Sequence, residues 1–226
     1  MKLSIIIPAY NEEKSIQDII SKVKKIKLPW EKEIIVVDDY SKDSTKAILK
    51  KIRGIKIFSH KINQGKGAAM RTGASKATGD YVIWQDADLE YNPEDIKKIL
   101  NRAIKNKLGV VYGSRALEQK NKYSYLSYYL GNKLLNIVTK ILYLSRITDM
   151  ETGYKVFKKE VIKDIDIKSK GFTVEPELTA KIFKKKLRVY ELPISYYGRD
   201  YSEGKKIKWY HAFSAIWALI KYKFVD

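Results

Sequence analysis

An α/β fold with a mostly parallel central sheet flanked by helices is predicted by three features of the 226-residue sequence. First, short continuous apolar segments alternate with longer segments whose apolar residues recur every three or four positions, which is the pattern of alternating strands and helices. Second, continuously apolar strands are typical of parallel sheets that are covered on both faces. Third, a hydrophobic content of 45% over this length supports one large domain with a full core.

The first half of the chain contains the regular alternation. Strands are predicted at residues 3–7, 33–37, 55–58, 81–84 and 110–112, and helices at 12–26, 43–52, 66–77 and 93–105. Asn92 and Pro93 predict the start of the fourth helix, because Asn caps helix N-termini and Pro fits the first helical position. Strands and helices in this order form a parallel sheet with helices on both faces.

The second half is less regular. It contains a long helical pattern, a polar loop, an apolar pair, a helix, a strand and a basic loop, at residues 123–147, 148–154, 156–157, 176–186, 188–192 and 198–206. A final amphipathic pattern, rich in Trp, Tyr and Phe, covers the end of the chain. We therefore expect a main domain over residues 1–206 and a C-terminal amphipathic helix over residues 207–226.

Composition excludes several classes of site. The chain has no cysteine and only two histidines, which excludes disulfides and Cys-based zinc sites and argues against a Ser-His-Asp triad. A metal site with oxygen ligands is the kind that the composition still allows. The N-terminal apolar run stops at Pro8, unlike a secretory signal, and no apolar segment reaches the roughly 20 residues that span a bilayer. We expect a cytoplasmic protein that is soluble or bound to a membrane surface.

The formal net charge of +19 admits three explanations. Nucleic acid attracts a basic chain, anionic lipid does the same, and a lysine-rich composition can arise from genome or growth-temperature bias. The lysines are spread over every predicted helix, and no RNA-binding aromatic signature or arginine-rich tract is present. We therefore expect no nucleic-acid partner, while a lipid surface and compositional bias both remain open.

Asp86 and Asp88 are the most informative residues of the chain. They follow the strand predicted at residues 81–84 directly, at the point where the strand ends. Side chains two residues apart in extended structure point the same way, so both carboxylates can face one ion. Hard cations such as Mg²⁺ or Mn²⁺ take carboxylate oxygens together with substrate phosphates. The pair therefore predicts an enzyme that acts on a nucleotide-linked substrate.

Further polar residues follow the other strands and meet at the same edge of the sheet. Asp39 ends the second strand, where a carboxylate can accept a hydrogen bond from a ribose hydroxyl or a base N–H. Lys66 lies in a Gly-rich turn, which is either a phosphate-binding loop or a plain helix start. Fixed cations stabilise a leaving diphosphate, and four loop cations are candidates for this role or for ordinary surface positions: Arg115, Arg199, Lys205 and Lys206.

Together these motifs resemble a known family. The motifs are residues 4–12, 33–41, 63–67, 85–90, 113–115, 149–154 and 197–207. They resemble the family 2 glycosyltransferases of the GT-A fold and, among these, dolichyl-phosphate mannose synthase and related polyprenyl-phosphate glycosyltransferases. The resemblance covers nearly the whole chain and makes residues 1–206 the catalytic domain. One departure is Tyr40, which stands where the second-strand motif usually has Gly.

The resemblance implies an inverting, metal-dependent transferase with Mg²⁺ or Mn²⁺ as cofactor. The donor would be a nucleotide sugar, with GDP-mannose favoured and UDP-sugars open. The acceptor would be dolichyl or another polyprenyl phosphate at the cytoplasmic face of a membrane. The alternative is a transferase of the same fold that uses a UDP-sugar to extend a soluble or cell-surface glycan.

The resemblance also assigns site residues. The nucleoside would be held by Pro8, Ala9, Tyr10, Glu12, Val37 and Asp39. The diphosphate sugar would meet Asp86, Ala87 and Asp88, and the metal would meet Asp86, Asp88 and Glu90. Lys66, Arg115, Arg199 and Lys205 would contact phosphate groups. A phosphate acceptor is already an oxyanion and needs no general base, whereas a sugar-alcohol acceptor would need one. Asp149 and Glu151 are the candidates for such a base, and the alternative is that they order the acceptor side of the site.

The C-terminal pattern has two interpretations. Residues 207–224 combine aromatic side chains with Lys208, Lys221 and Lys223, which is typical of a helix lying in a membrane interface. Residues 123–143 have a similar composition. Apolar residues at helical spacing also pack in cores and dimers, so a core helix, a membrane-anchoring protein partner and a homo-oligomer remain open.

Overall fold

The computed structural model describes residues 1–118, 121, 125–199 and 211–225. The strands in this part of the chain are β1 Lys2–Ala9, β2 Glu31–Asp38, β3 Lys56–Ser59, β4 Tyr81–Trp84, β5 Val110–Ser114, β6 Lys155–Lys158 and β7 Tyr190–Pro193. The helices are α1 Ile16–Lys25, α2 Thr45–Lys51, α3 Lys66–Lys76, α4 Asp95–Lys105, α5 Leu126–Tyr143, α6 Lys159–Lys163, α7 Val174–Lys184 and α8 His211–Phe224.

The strands form one sheet with the order β3-β2-β1-β4-β6-β5-β7. The pairs β1–β2, β1–β4, β2–β3 and β5–β7 are parallel, which confirms the predicted mostly parallel sheet. Strand β6 runs antiparallel to β4 and β5. The beginning of β6 therefore lies at the edge where β4 and β5 end, and this brings the loop before β6 to the carboxyl edge of the sheet.

Several element boundaries differ from the sequence prediction. Helix α4 begins at Asp95 rather than Pro93, because the Asn92 side chain accepts the Glu94 N–H at 3.2 Å and forms a turn before the helix. Helix α5 ends at Tyr143, and the next residue, Leu144, adopts a left-handed φ of 51°. Helix α6 was not predicted. Residues 207–210 of the predicted C-terminal helix lie outside the described residues.

Two apolar layers cover the sheet because its strands are buried on both faces. On one side, Ile5 and Ile7 pack in a cluster with α1 and α4 residues such as Ile19 and Ile99. On the other side, the alternate position Ile6 packs in a cluster that includes Met70 of α3 and Leu178 of α7. The continuously apolar strands thus contribute to both layers of the core.

The C-terminal helix α8 is packed into the molecule. Its Ala215 and Leu219 form a third cluster with Leu135 of α5, and the Tyr143 hydroxyl donates to the Leu219 carbonyl at 2.5 Å. The opposite faces of both helices leave large apolar side chains exposed. We call these the apolar stripes: Leu130, Leu134, Ile137 and Ile141 on α5, and Phe213, Trp217, Ile220 and Phe224 on α8. No helix in the described ranges is long and apolar enough to cross a membrane.

Candidate active site

A cavity of about 670 Å³ opens at the carboxyl edge of the sheet. Residues from the ends of β1, β4 and β5, the starts of α3 and α7, and the facing sides of α5 and α8 line it. The structure brings the following predicted residues to this cavity: Pro8, Ala9, Tyr10, Glu12, Asp39, Lys66, Asp86, Ala87, Asp88, Glu90, Arg115, Glu151 and Arg199.

Two of the predicted residues that the structure describes, Val37 and Asp149, do not line the cavity. The Val37 side chain is fully buried in the core cluster that contains Ile6 and Met70, because alternation along β2 points it into the face of the sheet that α3 covers. A side-chain contact between Val37 and the nucleoside is therefore not favoured by the structure. Lys205 and Lys206 lie outside the described residues.

Asp39 organises the loop that opens α3. Its carboxylate accepts the N–H groups of Gln64 at 2.8 Å and Gly65 at 2.7 Å, and the His60 ring contacts it at 2.6 Å. Gly65 has a φ of +93°, and an added Cβ would lie 2.4 Å from the Lys170 carbonyl oxygen, so a side chain is excluded there. The loop therefore has a fixed conformation, which fixes the start of α3 at Lys66.

Tyr40 preserves the turn after β2 although it replaces the usual Gly. Its φ is +66°, which is the left-handed conformation that Gly adopts most readily. The Lys42 amine lies 3.6 Å from the centre of the Tyr40 ring, close enough for a cation–π contact. The change of residue thus leaves a left-handed turn in place.

Lys66 is held between two carboxylates. Its Nζ lies 2.7 Å from Asp86 Oδ1 and 3.9 Å from Glu175 Oε1. Burial alone would lower the pKa of Lys66, but the negative charges of Asp86 and Glu175 outweigh it and raise that pKa above its usual value. Lys66 therefore stays charged beside the strand end, which suits it to a phosphate group.

Arg199 connects three acidic residues. Its guanidinium lies 3.3 Å from Asp88, 3.7 Å from Glu12 and 3.7 Å from Glu90. Burial, together with the charges of Asp86 and Glu90, raises the pKa of Asp88 to about 7. Arg199 thus bridges Asp88, Glu12 and Glu90, and the crowding of carboxylates around Asp88 adds to burial in raising its pKa.

Glu90 serves mainly to position this arginine. Its Oε2 accepts the Tyr196 hydroxyl at 2.6 Å, and its Oε1 accepts the Arg199 backbone N–H at 2.9 Å. Both oxygens therefore hold the segment that follows β7. This geometry favours Asp86 and Asp88 over Glu90 as metal ligands.

Arg115 and Asp149 form a buried bidentate pair. The Arg115 Nε and Nη2 donate to the two Asp149 oxygens, each at 2.7 Å, and the Arg115 backbone N–H donates at 2.8 Å. Burial would raise the pKa of Asp149, but the Arg115 charge and hydrogen bonds outweigh it and hold that pKa below its usual value. Asp149 is thus a poor proton acceptor, and its role is to fix Arg115.

Glu175 is a cavity residue that the sequence did not reveal. It lies in the first turn of α7, is buried, and pairs with the Lys155 amine. An acidic residue in a first turn is ordinary because it complements the helix dipole, so its type and position carried no functional signal. Tyr196 and Asn132 also line the cavity without having been predicted.

The donor set fits a hard divalent cation that is shared with a substrate. Asp86 and Asp88 supply carboxylate oxygens just after β4, and these are the ligands that Mg²⁺ and Mn²⁺ prefer. Among the residues that the structure describes, no group of three or more His, Asp or Glu side chains is arranged to hold a metal ion alone. Substrate phosphate oxygens and water would complete the coordination shell.

Paired carboxylates and fixed cations around a cavity at the carboxyl edge of a parallel sheet define a site for a phosphorylated, nucleotide-linked substrate. The chain belongs to glycosyl transferase family 2, whose sequence profile matches residues 4–166. It is therefore a glycosyltransferase, as the motifs predicted.

Two glycosyltransferases with named activities are similar to this chain in sequence, and a third protein is similar to it in structure. The chain is 30% identical to UDP-N-acetylglucosamine–dolichyl-phosphate N-acetylglucosaminyltransferase of Methanococcus voltae, covering 89% of this chain and 88% of the relative. It is 29% identical to dolichol-phosphate mannosyltransferase of Pyrococcus furiosus, covering 91% of this chain and 59% of that longer protein. Glucosyl-3-phosphoglycerate synthase of Mycobacterium tuberculosis superposes with a TM-score of 0.76 at 18% identity, covering 100% of this chain and 81% of the other. The predicted GT-A fold is thereby confirmed.

Proposed function

We propose that this glycosyltransferase moves a hexose from a nucleotide sugar to dolichyl or another polyprenyl phosphate, with inversion at the anomeric carbon and with Mg²⁺ or Mn²⁺. One observation carries the proposal. The cavity joins Asp86 and Asp88 to Lys66, Arg115 and Arg199, and it continues between α5 and α8, the two helices that leave apolar stripes exposed. A lipid phosphate needs both features, a cationic pocket for its head and an apolar approach for its chain.

The donor would lie along the strand ends. Pro8, Ala9 and Tyr10 line the cavity at the end of β1 and would hold the nucleoside together with Asp39. The two named relatives use different donors by their names, at 30% and 29% identity. GDP-mannose is the first donor to test, because the resemblance of the motifs favours it. UDP-N-acetylglucosamine is the second.

The diphosphate would lie between the carboxylate pair and the cations. Asp86 and Asp88 would hold the metal ion against the diphosphate oxygens, and Mn²⁺ and Mg²⁺ are each present with uridine diphosphate in structures of the mycobacterial enzyme. When bound, the ion supplies positive charge to the leaving group. Lys66 and Arg199 add fixed charges that are already in place before the reaction, which reduces reorganisation.

The acceptor phosphate would be the nucleophile itself. Its oxygen forms a bond to the anomeric carbon, the bond from that carbon to the diphosphate oxygen breaks, and the nucleoside diphosphate leaves with the electron pair. A phosphate oxyanion carries no proton that must be removed, so a general base is not required. This agrees with the pairing of Asp149 and Arg115, which leaves Asp149 as an orienting group.

The apolar stripes are proposed to lie on the cytoplasmic face of a membrane. Trp217 and Phe213 are each 66% exposed, and Lys221 and Lys223 follow on the same helix. Aromatic side chains with nearby lysines suit the lipid interface. A membrane-anchoring protein or a second copy of the chain would instead cover the stripes without any need for lipid.

The acceptor is tested with radiolabelled nucleotide sugars and a short polyprenyl phosphate. We expect label to partition into organic solvent only when the lipid phosphate and Mg²⁺ or Mn²⁺ are both present, and chelation to abolish the transfer. Unphosphorylated polyprenol is the matched control acceptor. Label recovered only on water-soluble saccharide would contradict the lipid acceptor and support extension of a glycan.

A further inference from the structure

Glu151 is distinguished from the other acidic residues around the cavity by its surroundings. Asp86 pairs with Lys66, Asp149 with Arg115, and Glu175 with Lys155. Two carboxylate oxygens at the cavity, Glu151 Oε1 and Glu175 Oε1, are buried without a hydrogen-bond partner among the described residues. Glu175 has cationic neighbours, since it pairs with Lys155 and lies 3.9 Å from Lys66, whereas Glu151 has no such ion pair among the described residues. A buried polar atom without a partner destabilises a folded protein, so a ligand that supplies the missing hydrogen bond is expected.

The backbone around Glu151 is fixed on both sides. The Met150 N–H donates to Asn136 Oδ1 at 2.8 Å, and the Gly153 N–H donates to the Tyr91 hydroxyl at 2.9 Å. An added Cβ on Gly153 would lie 2.8 Å from Asp86 Oδ2, so this loop lies directly against the carboxylate pair. Glu151 is therefore held close to the position where the diphosphate, and the sugar attached to it, would lie.

The local charges select the chemistry of the ligand. Arg115 is already bound to Asp149, and Lys155 is already bound to Glu175, so neither cation is free to pair with Glu151. Burial, together with the charges of Glu175 and Asp149, outweighs the charges of Lys155 and Arg115 and raises the pKa of Glu151 to about 7. A phosphate oxygen offers no proton to an ionised carboxylate, whereas a neutral hydroxyl can hydrogen-bond to a carboxyl group in either protonation state.

We propose that Glu151 binds a hydroxyl group of the sugar that is transferred and thereby contributes to the choice of donor. This inference rests on the proposed function, because it assumes that a nucleotide sugar occupies the cavity. A site built to hydrogen-bond a hydroxyl discriminates strongly against an analogue that lacks it. Glu151 thus becomes a specificity-determining residue rather than a base.

The test uses the nucleotide sugar that the wild-type enzyme transfers and its monodeoxy analogues, with Glu151→Ala and Glu151→Gln. For one deoxy position we expect kcat/KM of the wild type to fall roughly 10- to 100-fold, the scale of one lost hydrogen bond to a carboxyl group. Glu151→Ala should lower kcat/KM for the complete donor by a similar factor. For that deoxy analogue the substitution should cause no further decrease in kcat/KM, because the two changes remove the same contact. Glu151→Gln, which keeps a hydrogen-bonding group, should recover part of the discrimination. Glu160→Ala, at an exposed position on α6, is the matched control and should change neither value.

Two results would overturn the inference. The first is that Glu151→Ala lowers kcat/KM by the same factor for the complete donor and for every deoxy analogue. The variant would then still discriminate against the deoxy donors as the wild type does, which indicates a base or a structural role for Glu151. The second is a change in the acceptor KM alone. Titration of the wild-type enzyme with nucleotide sugars separates the two proposals: no binding of any donor overturns both. If a nucleotide sugar binds but its sugar is transferred only to soluble saccharide, the proposed lipid acceptor is overturned. The deoxy series then still decides whether Glu151 contributes to donor choice.

Discussion

At the donor edge of the sheet, Lys66 lies 2.7 Å from Asp86, and Arg115 holds both oxygens of Asp149 at 2.7 Å. On the surface of α5 and α8, by contrast, Ile141 is 70% exposed and Trp217 is 66% exposed. Charged groups are thus buried and paired in one region, while large apolar groups face outward in the other. Each arrangement is the reverse of what stability alone favours.

The contrast agrees with the proposed ligands of the two regions. Buried ion pairs are costly to desolvate, but they hold cations in place before an anionic substrate arrives. Exposed apolar stripes are costly in water, but they supply area for association with lipid or protein. Changes in the first region are therefore expected to alter catalysis and stability, and changes in the second to alter association.

The largest effect is expected for Asp88→Asn. Removal of one carboxylate from the pair should lower kcat by roughly 10³-fold, which is the scale of losing one preorganised electrostatic contact. The fold should persist, since neutralising a residue that is crowded by Asp86 and Glu90 relieves repulsion. Transfer assays at saturating metal, together with thermal unfolding, measure both quantities. Asp164→Asn, at an exposed ion pair, is the matched control, and near-wild-type turnover of Asp88→Asn would refute its assignment.

A second prediction compares a buried ion pair with a surface pair. Arg115→Ala leaves Asp149 buried without its partner and should lower the free energy of unfolding by about 3–5 kcal/mol. Lys185→Ala removes the exposed contact to Asp164 and should cost less than about 1 kcal/mol. Urea denaturation of the three proteins measures the difference. Equal losses would show that the buried pair has no special role in holding the donor edge.

These particular residues show how far the sequence predicts the site. Asp86, Asp88 and Asp39 were predicted because they follow apolar strands in a recognisable pattern. The pairing of Arg115 with Asp149 was not predicted, since the two residues are 34 positions apart and meet through the antiparallel strand β6. Such long-range contacts depend on strand order, which local periodicity does not specify.

The same limit applies to the helical region. The pattern at residues 207–224 predicted an amphipathic helix, but the sequence left a membrane surface, a protein core and a dimer open. The structure buries one side of α8, through Ala215 and Leu219, and exposes the other side, through Trp217 and Phe224. One face of the helix thus packs in the core, and what covers the exposed face stays a prediction. Glu175 was missed because an acidic first turn is common in helices without function.

A third prediction concerns the pH dependence of stability. Burial and the charge of Glu175 raise the pKa of Glu151 from its usual 4.5 to about 7. Between these values the folded state keeps a proton that the unfolded state has lost, so stability should fall as pH rises through this window. Glu151→Gln removes this dependence and should become more stable than the wild type by about 1–3 kcal/mol at pH 8, with a smaller difference at pH 5. Urea denaturation across this pH range tests it, and parallel pH curves for the two proteins would contradict it.

The smallest effect is expected on the apolar stripes, and it separates the two faces of α8. Trp217→Ser should weaken binding to anionic liposomes about tenfold, because an aromatic group that would enter the interface is lost. Stability and donor binding should stay unchanged, since Trp217 is 66% exposed. Leu219→Ala, two residues away on the buried face, should instead lower the free energy of unfolding by about 2–5 kcal/mol. Liposome co-sedimentation and urea denaturation of both variants measure these effects. If Trp217→Ser leaves liposome binding intact but dissociates an oligomer, the stripes form a protein interface, and the lipid approach to the cavity must lie elsewhere.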